Sequence, residues 1–152
     1  MEGSKVARWT RRRFGLVVGG VLPTLLGITR GQEAAAKPSR HVKVAFEDET
    51  GTGISGFANL TQRNEGTGIV VVAKGLEPGT AYFSLYYDNA TCELEEYEEE
   101  EDFIGGDEPY TANAAGIGHT HGVADDDLDE IGSVSVRLAS DFSLLACATL
   151  PT

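Results

Sequence analysis

The residues best suited to chemistry are His119 and His121, set either side of Thr120. On an extended strand such a pair puts two imidazoles on one face, about 7 Å apart at their Cα atoms. That spacing suits chelation of one metal ion, and Asp125, Asp126 and Asp127 follow close behind. The bland alternative is a pair of solvated imidazoles on a polar strand edge. Residues 125–130 hold five acids in six positions and invite a calcium reading. An EF-hand loop needs Gly at its sixth position and Glu at its twelfth. Counted from Asp125, those positions are Glu130 and Val136, so the motif fails. The chain has no Gly-x-Ser-x-Gly elbow for a hydrolytic nucleophile, and no helix or P-loop lysine follows Gly51-Thr52-Gly53. Tyr82, Phe83 and Tyr86, with Tyr87 beside them, would face either a ligand groove or the core.

The elements that must position these residues are short strands. Residues 42–46 alternate with period two, and residues 54–62 and 68–73 are strand-like runs joined by Arg63-Asn64-Glu65-Gly66, a hairpin connection. Glu77-Pro78-Gly79 reads as a turn, Pro fixing φ and Gly supplying a positive φ. Further strands are expected over residues 81–87, 110–118, 133–138 and 144–150. About seven strands, tight turns and no amphipathic helix give an all-β Greek-key sandwich or barrel. Two acidic segments interrupt the rhythm, residues 93–108 and 125–130, and both are expected as solvated loops.

Charge divides the chain in two. Residues 1–36 carry six basic groups and two acids, whereas residues 37–152 carry six basic groups and 22 acids. The first part reads as an export signal. Arg11, Arg12 and Phe14 lead into an apolar stretch too short and too rich in glycine and proline to span a bilayer, and Ala34-Ala35-Ala36 offers a cleavage site. The opening resembles the twin-arginine signal. The expected mature domain is residues 37–152, exported to the periplasm, cell surface or exterior of a prokaryote. Its acidity excludes nucleic acid and anionic membrane as partners, since both need a basic face. Cys92 and Cys147 are the only cysteines, and in an exported protein an even count favours a disulfide. With no clustered histidines, a zinc–thiolate site is not expected.

Taken in order, several segments resemble the copper/zinc superoxide dismutases. Ile54-Ser55-Gly56-Phe57 is similar to that family's early glycine-bearing strand, and Gly75-Leu76-Glu77-Pro78-Gly79 to its turn. Asp88-Asn89-Ala90-Thr91-Cys92 is similar to its Asp-Asn…Cys segment. Gly106-Asp107 with residues 110–116, Ile131-Gly132-Ser133 and the closing Leu145-Ala146-Cys147 follow in family order. Chordin-type (CHRD) domains share several of these signatures. The resemblance implies an eight-stranded Greek-key barrel and a bridge between Cys92 and Cys147.

It does not imply the enzymology. The family's copper His-x-His falls near Phe83 and Leu85, and its last copper histidine near Arg137 or Leu138. Its zinc histidines fall in residues 93–106, where this chain has none. Asp107 alone stands near a ligand position, that of the zinc aspartate. The expectation is therefore a non-catalytic structural or binding module without a cofactor, its partner a cation or an extracellular protein. The alternative is a metal-binding protein or dismutase-type oxidoreductase, taking copper or zinc at a site rebuilt around His119 and His121.

Overall fold

The computed structural model describes residues 40–94 and 102–151. The export segment, with Arg11, Arg12 and Phe14, lies outside the described residues, as do residues 95–101 of the acidic insertion. The described chain is an all-β sandwich of two antiparallel sheets. Its strands are β1 (His41–Ala45), β2 (Glu47–Asp48), β3 (Ser55–Gln62), β4 (Thr67–Lys74), β5 (Ala81–Phe83), β6 (Tyr86–Tyr87), β7 (Tyr110–Thr111), β8 (Gly118–Ala124), β9 (Ser133–Leu138) and β10 (Leu144–Thr149). One sheet has the order β1-β3-β4-β8; the other runs β2-β10-β9-β5-β7, with β6 also paired to β9.

Alternation in the sequence becomes sidedness in the sheet. Thr67, Ile69, Val71 and Ala73 of β4 face inward and are buried, while Gly68, Val70 and Val72 between them are only half-buried. With Ala58 and Leu60 of β3 they meet Val134, Val136, Ala146 and Ala148 of the second sheet in one apolar core. Burying each Val, Leu or Ile side chain there stabilises by about 1.5–3 kcal/mol. The second sheet departs from half-exposed alternation: Ser133 through Arg137 are all buried. Its outer face carries a second apolar cluster of Leu85, Tyr87, Cys92 and Cys147, flanked by Phe83, Phe103, Phe142 and Leu144.

Three expectations change. The strand expected over residues 110–118 stops at Thr111. Asn113 turns the chain instead, its side-chain oxygen accepting from the N–H groups of Ala115 and Ile117 at 2.9 and 3.0 Å. Gly116 takes the positive φ of 78° that this turn needs. Strand resumes at β8, which lifts His119 and His121 onto a regular ladder with β4. The run over residues 81–87 breaks at Ser84-Leu85, where Leu85 bridges Phe103 and Ser84 O accepts from Ile104 N–H at 2.8 Å. The described parts of the acidic segments are also less solvated than expected. Ile104 and Leu128 are buried in the main core, and Gln62 ties residues 127–128 to β3 by hydrogen bonds to Asp127 Oδ1 and from Leu128 N–H.

Gly132 is held by two backbone hydrogen bonds at a place where the neighbouring backbone leaves no room for a Cβ. Its N–H donates to Tyr87 O at 2.7 Å, and Leu150 N–H donates to its carbonyl at 3.0 Å. A Cβ at position 132 would lie 2.6 Å from Asn89 O, a backbone atom held in place by Ser133. Gly132→Ala is expected to cost about 1–3 kcal/mol through overpacking, read as a lower thermal midpoint.

Acid and alkali should each weaken the fold through identifiable groups. Asp48 accepts from Thr50, Gly53 and Ile54 N–H groups, and these bonds hold its carboxyl below the usual aspartate range. A depressed folded-state value means that its stabilisation is present above the ordinary carboxylate range and is lost as pH falls through that lowered value. Burial pushes the Tyr110 phenol up to about 12, partly opposed by its hydrogen bond with Ser84. That contribution is present below about 10, the ordinary tyrosine value, and is lost as pH rises toward the raised one. Asp48→Asn should flatten the acid limb of a melting-temperature profile, and Tyr110→Phe the alkaline limb.

Candidate functional site

The outer face of the four-stranded sheet is built by three cross-strand rows. In register these are His41–Thr61–Gly68–Val123, Lys43–Asn59–Val70–His121 and Ala45–Phe57–Val72–His119. The inward positions of β8 are taken up by packing: Thr120 Oγ1 donates to Ile104 O at 3.2 Å, and Gly105 lies too close to Gly122 to leave room for a Cβ. His119 and His121 therefore point the other way, and both are exposed. Their ring centroids are 5.9 Å apart and tilted by 48°.

The face has a composition unlike the rest of the chain. Half-buried Phe57, Val70 and Val72 form its centre, and Val123, 59% exposed, extends it to the sheet edge. Around them stand His41, Lys43, His119 and His121, with Lys74 at the end of β4 and the Arg63 side chain lying over Gly68. The Lys43 ammonium sits 4.2 Å above the Phe57 ring, a cation–π contact. No carboxylate occupies any of the outward strand positions in these rows. The apolar centre was readable in part, because Ile69-Val70-Val71-Val72 is a continuous apolar run, the pattern of a strand with something to cover on both faces. The contribution of β1 and β3 was not, since register decides which of their residues share this face.

The positions where the resemblance places copper come together elsewhere, on the outer face of the second sheet. Phe83 pairs with Arg137, and Leu85 packs in the cluster with Tyr87 and Cys92. The rings of Phe83, Phe103 and Phe142 surround one another at 4.9–6.0 Å. Arg137 is buried beside them. It donates from Nε to Tyr87 Oη at 2.9 Å, from Nη1 to Phe142 O at 2.7 Å and from Nη2 to Cys92 O at 2.7 Å. Copper needs imidazole or sulfur donors. A guanidinium among phenyl rings and an isobutyl group supplies none, so these residues do not fit the family's metal.

Asp107 is exposed in the segment before β7. Among the described residues, no group of three or more His, Cys, Asp or Glu is placed to hold a metal ion, so Asp107 is not joined with the histidine pair in such a cluster. Cys92 and Cys147 form the expected disulfide, with Cα atoms 6.0 Å apart. Cys147 stands on β10 opposite Ser135 of β9, and Cys92 in the segment after β6. Among the described residues no helix is long and apolar enough to cross a membrane.

Fold and surface together define an all-β sandwich, tied by one disulfide, with a carboxylate-free sheet face. No protein-family model matches the chain, and no curated protein matches it.

The clamp around Cys92 generates two expectations. Cys92→Ser or Cys147→Ser should each cost about 2–5 kcal/mol, with little further loss in the double variant. Arg137→Met should cost about 2–4 kcal/mol, because charge-assisted hydrogen bonds are lost from buried carbonyls. Arg137→Lys should recover only part of this, since an ammonium does not reproduce the planar fork. Denaturant titration of each variant checks these values.

Proposed function

We propose that the chain is an exported, non-catalytic binding module of superoxide dismutase-like or CHRD-like kinship, and that its partner docks on the outer face of the four-stranded sheet. The observation that carries this reading is the composition of that face. In a chain with 24 acids against 12 lysines and arginines, it combines an apolar centre with a rim of basic and imidazole groups. Its complement is an extracellular protein segment with apolar residues at its middle and carboxylates at its edge.

The kinship is supported by the strand path. The chain leaves the first sheet after β4, builds β5, β6 and β7 in the second, and returns as β8 beside β4. Crossing between sheets in this way is the wiring of Greek-key sandwiches. The non-catalytic reading is supported by Phe83, Leu85 and Arg137, which fill the family's copper position with groups that do not ligate.

The docking surface is tested with a photo-crosslinkable residue in the exporting cell. At position 123 it should give a discrete adduct with another exported protein, lost in a Val70→Lys/Val72→Lys variant that remains folded. The captured protein should then bind the purified domain with an affinity that falls as salt rises. Equal adduct yield from position 78, in the turn before β5, would overturn the surface assignment. The catalytic question has its own readout. Domain loaded with copper, zinc or manganese should dismute superoxide no faster than the free ions carried over, and faster turnover would sink the non-catalytic reading.

A further inference from the structure

We infer that His119 and His121, on the rim of the face proposed above for docking, form a chelating site for a divalent d-block ion, on the opposite sheet from the family's copper position. The two rings project from one face of β8 with centroids 5.9 Å apart. That separation is within reach of two imidazoles sharing one ion, whose bonds to nitrogen are about 2.0–2.1 Å long. Among the described residues neither ring is hydrogen-bonded to another residue, so no such bond fixes which nitrogen of each ring carries the proton and which its lone pair.

The pair is held in place by its strand. β8 is in continuous register with β4 from Thr67↔Ala124 to Ala73↔Gly118, and Ile104-Gly105 packs against its other face. Val72 and Val70 stand directly opposite His119 and His121 and present no competing donor. Binding therefore fixes only side-chain rotamers, and the cost of ordering is small.

Donor chemistry selects the ion. Two imidazoles without a carboxylate favour Cu²⁺, Ni²⁺ or Zn²⁺ over the oxygen-seeking Ca²⁺ and Mg²⁺, and copper binds such nitrogen sets most tightly. The basic groups of this face weaken the ion's binding without excluding it: Lys74 stands two residues along β4 from Val72, the partner of His119, and Arg63 lies over Gly68, the partner of Val123. The basic side chain in the His121 row is Lys43, three strands away, about 14 Å at ordinary strand spacing. That exceeds the screening length of about 8 Å at physiological salt. The acidic remainder of the chain raises the local cation concentration. With two protein ligands, the remaining coordination positions go to water, and the ion stays exchangeable rather than structural.

Calorimetric titration of the mature, disulfide-bonded domain with Cu²⁺ and with Zn²⁺ at pH 7.5 tests the site. One ion per chain is expected, with two nitrogen donors in the copper electron paramagnetic resonance spectrum. The second ring makes binding intramolecular, so His119→Ala or His121→Ala should each weaken it by roughly 10²-fold. His41→Ala, on the far edge of the same face, should leave it unchanged. A tight ion retained by the His119→Ala/His121→Ala variant would place the metal elsewhere, in the acidic segments for example, and overturn the inference. Wild-type binding no tighter than that of either single variant would do the same. Neither outcome bears on the crosslink at position 123, so the two proposals fail separately.

Discussion

The guanidinium of Arg137 is the interaction on which the second sheet depends. Cys92 and Phe142 are the residues other than glycine that take a positive φ among those described, at 58° and 64°. Both offer their carbonyl oxygen to Arg137. A left-handed residue with a Cβ costs roughly 1–2 kcal/mol, and a hydrogen bond from a charged donor contributes about 1.5–3. The clamp therefore offsets the strain it holds. Cys92 is fixed a second time by its bond to Cys147, and a third time through its N–H to Ser133 Oγ at 3.1 Å. The chain after β6, 45 residues from Arg137 in sequence at Cys92, is thereby locked to β9 and the β9–β10 connection around one planar cation.

That lock explains why β9 is buried on both faces. Val134 and Val136 face the main core, while Ser133, Ser135 and Arg137 are covered by the segment that Cys92 anchors. Each polar group on the covered side has a partner: Ser135 Oγ lies 2.8 Å from Tyr87 Oη, and Ser133 Oγ donates to Asn89 O at 2.7 Å. An outer face that would otherwise meet water thus becomes a second small core, organised by hydrogen bonds as much as by apolar contact. It stands where the superoxide dismutase resemblance puts a redox metal. Stability has taken the space that the chemistry of the resemblance would need.

How far the residues announced this depends on the range of the interaction. Strands with clean alternation, such as β1, were legible because sidedness is local: one residue in, the next out. The disulfide was legible because a chain with two cysteines, read as exported, leaves one pairing. The turn at Asn113 carried a local signal in Asn113 and Gly116, both turn-forming types, but Ile117 and Gly118 lead straight into strand and mask it. The side-chain oxygen of Asn113, bonding two later N–H groups, is what bends the chain. Burial of Ile104 and Leu128 was hidden for another reason. Each is an apolar residue inside an acidic run, and composition averaged over such a run reports the loop, not the anchor. The candidate surface was hardest to see, since its rows combine single residues from four strands.

The distribution of charge bears on what that surface is for. Solubility alone would be served by acids scattered over every exposed face, and a chain with twice as many acids as lysines and arginines has enough to do so. The outward positions of β1, β3, β4 and β8 instead carry histidine, lysine, valine and phenylalanine. Leaving valine 59% exposed at position 123, beside valines half-buried in the next strand, costs hydration free energy that a polar residue there would avoid. Edge strands such as β8 usually carry charge that discourages pairing with another chain. Here the outward side chains of that edge are two imidazoles and a valine, with no carboxylate among them. A face kept free of carboxylates and rimmed by Lys43, Lys74 and Arg63 on an otherwise acidic protein is one where an incoming anion meets no local repulsion.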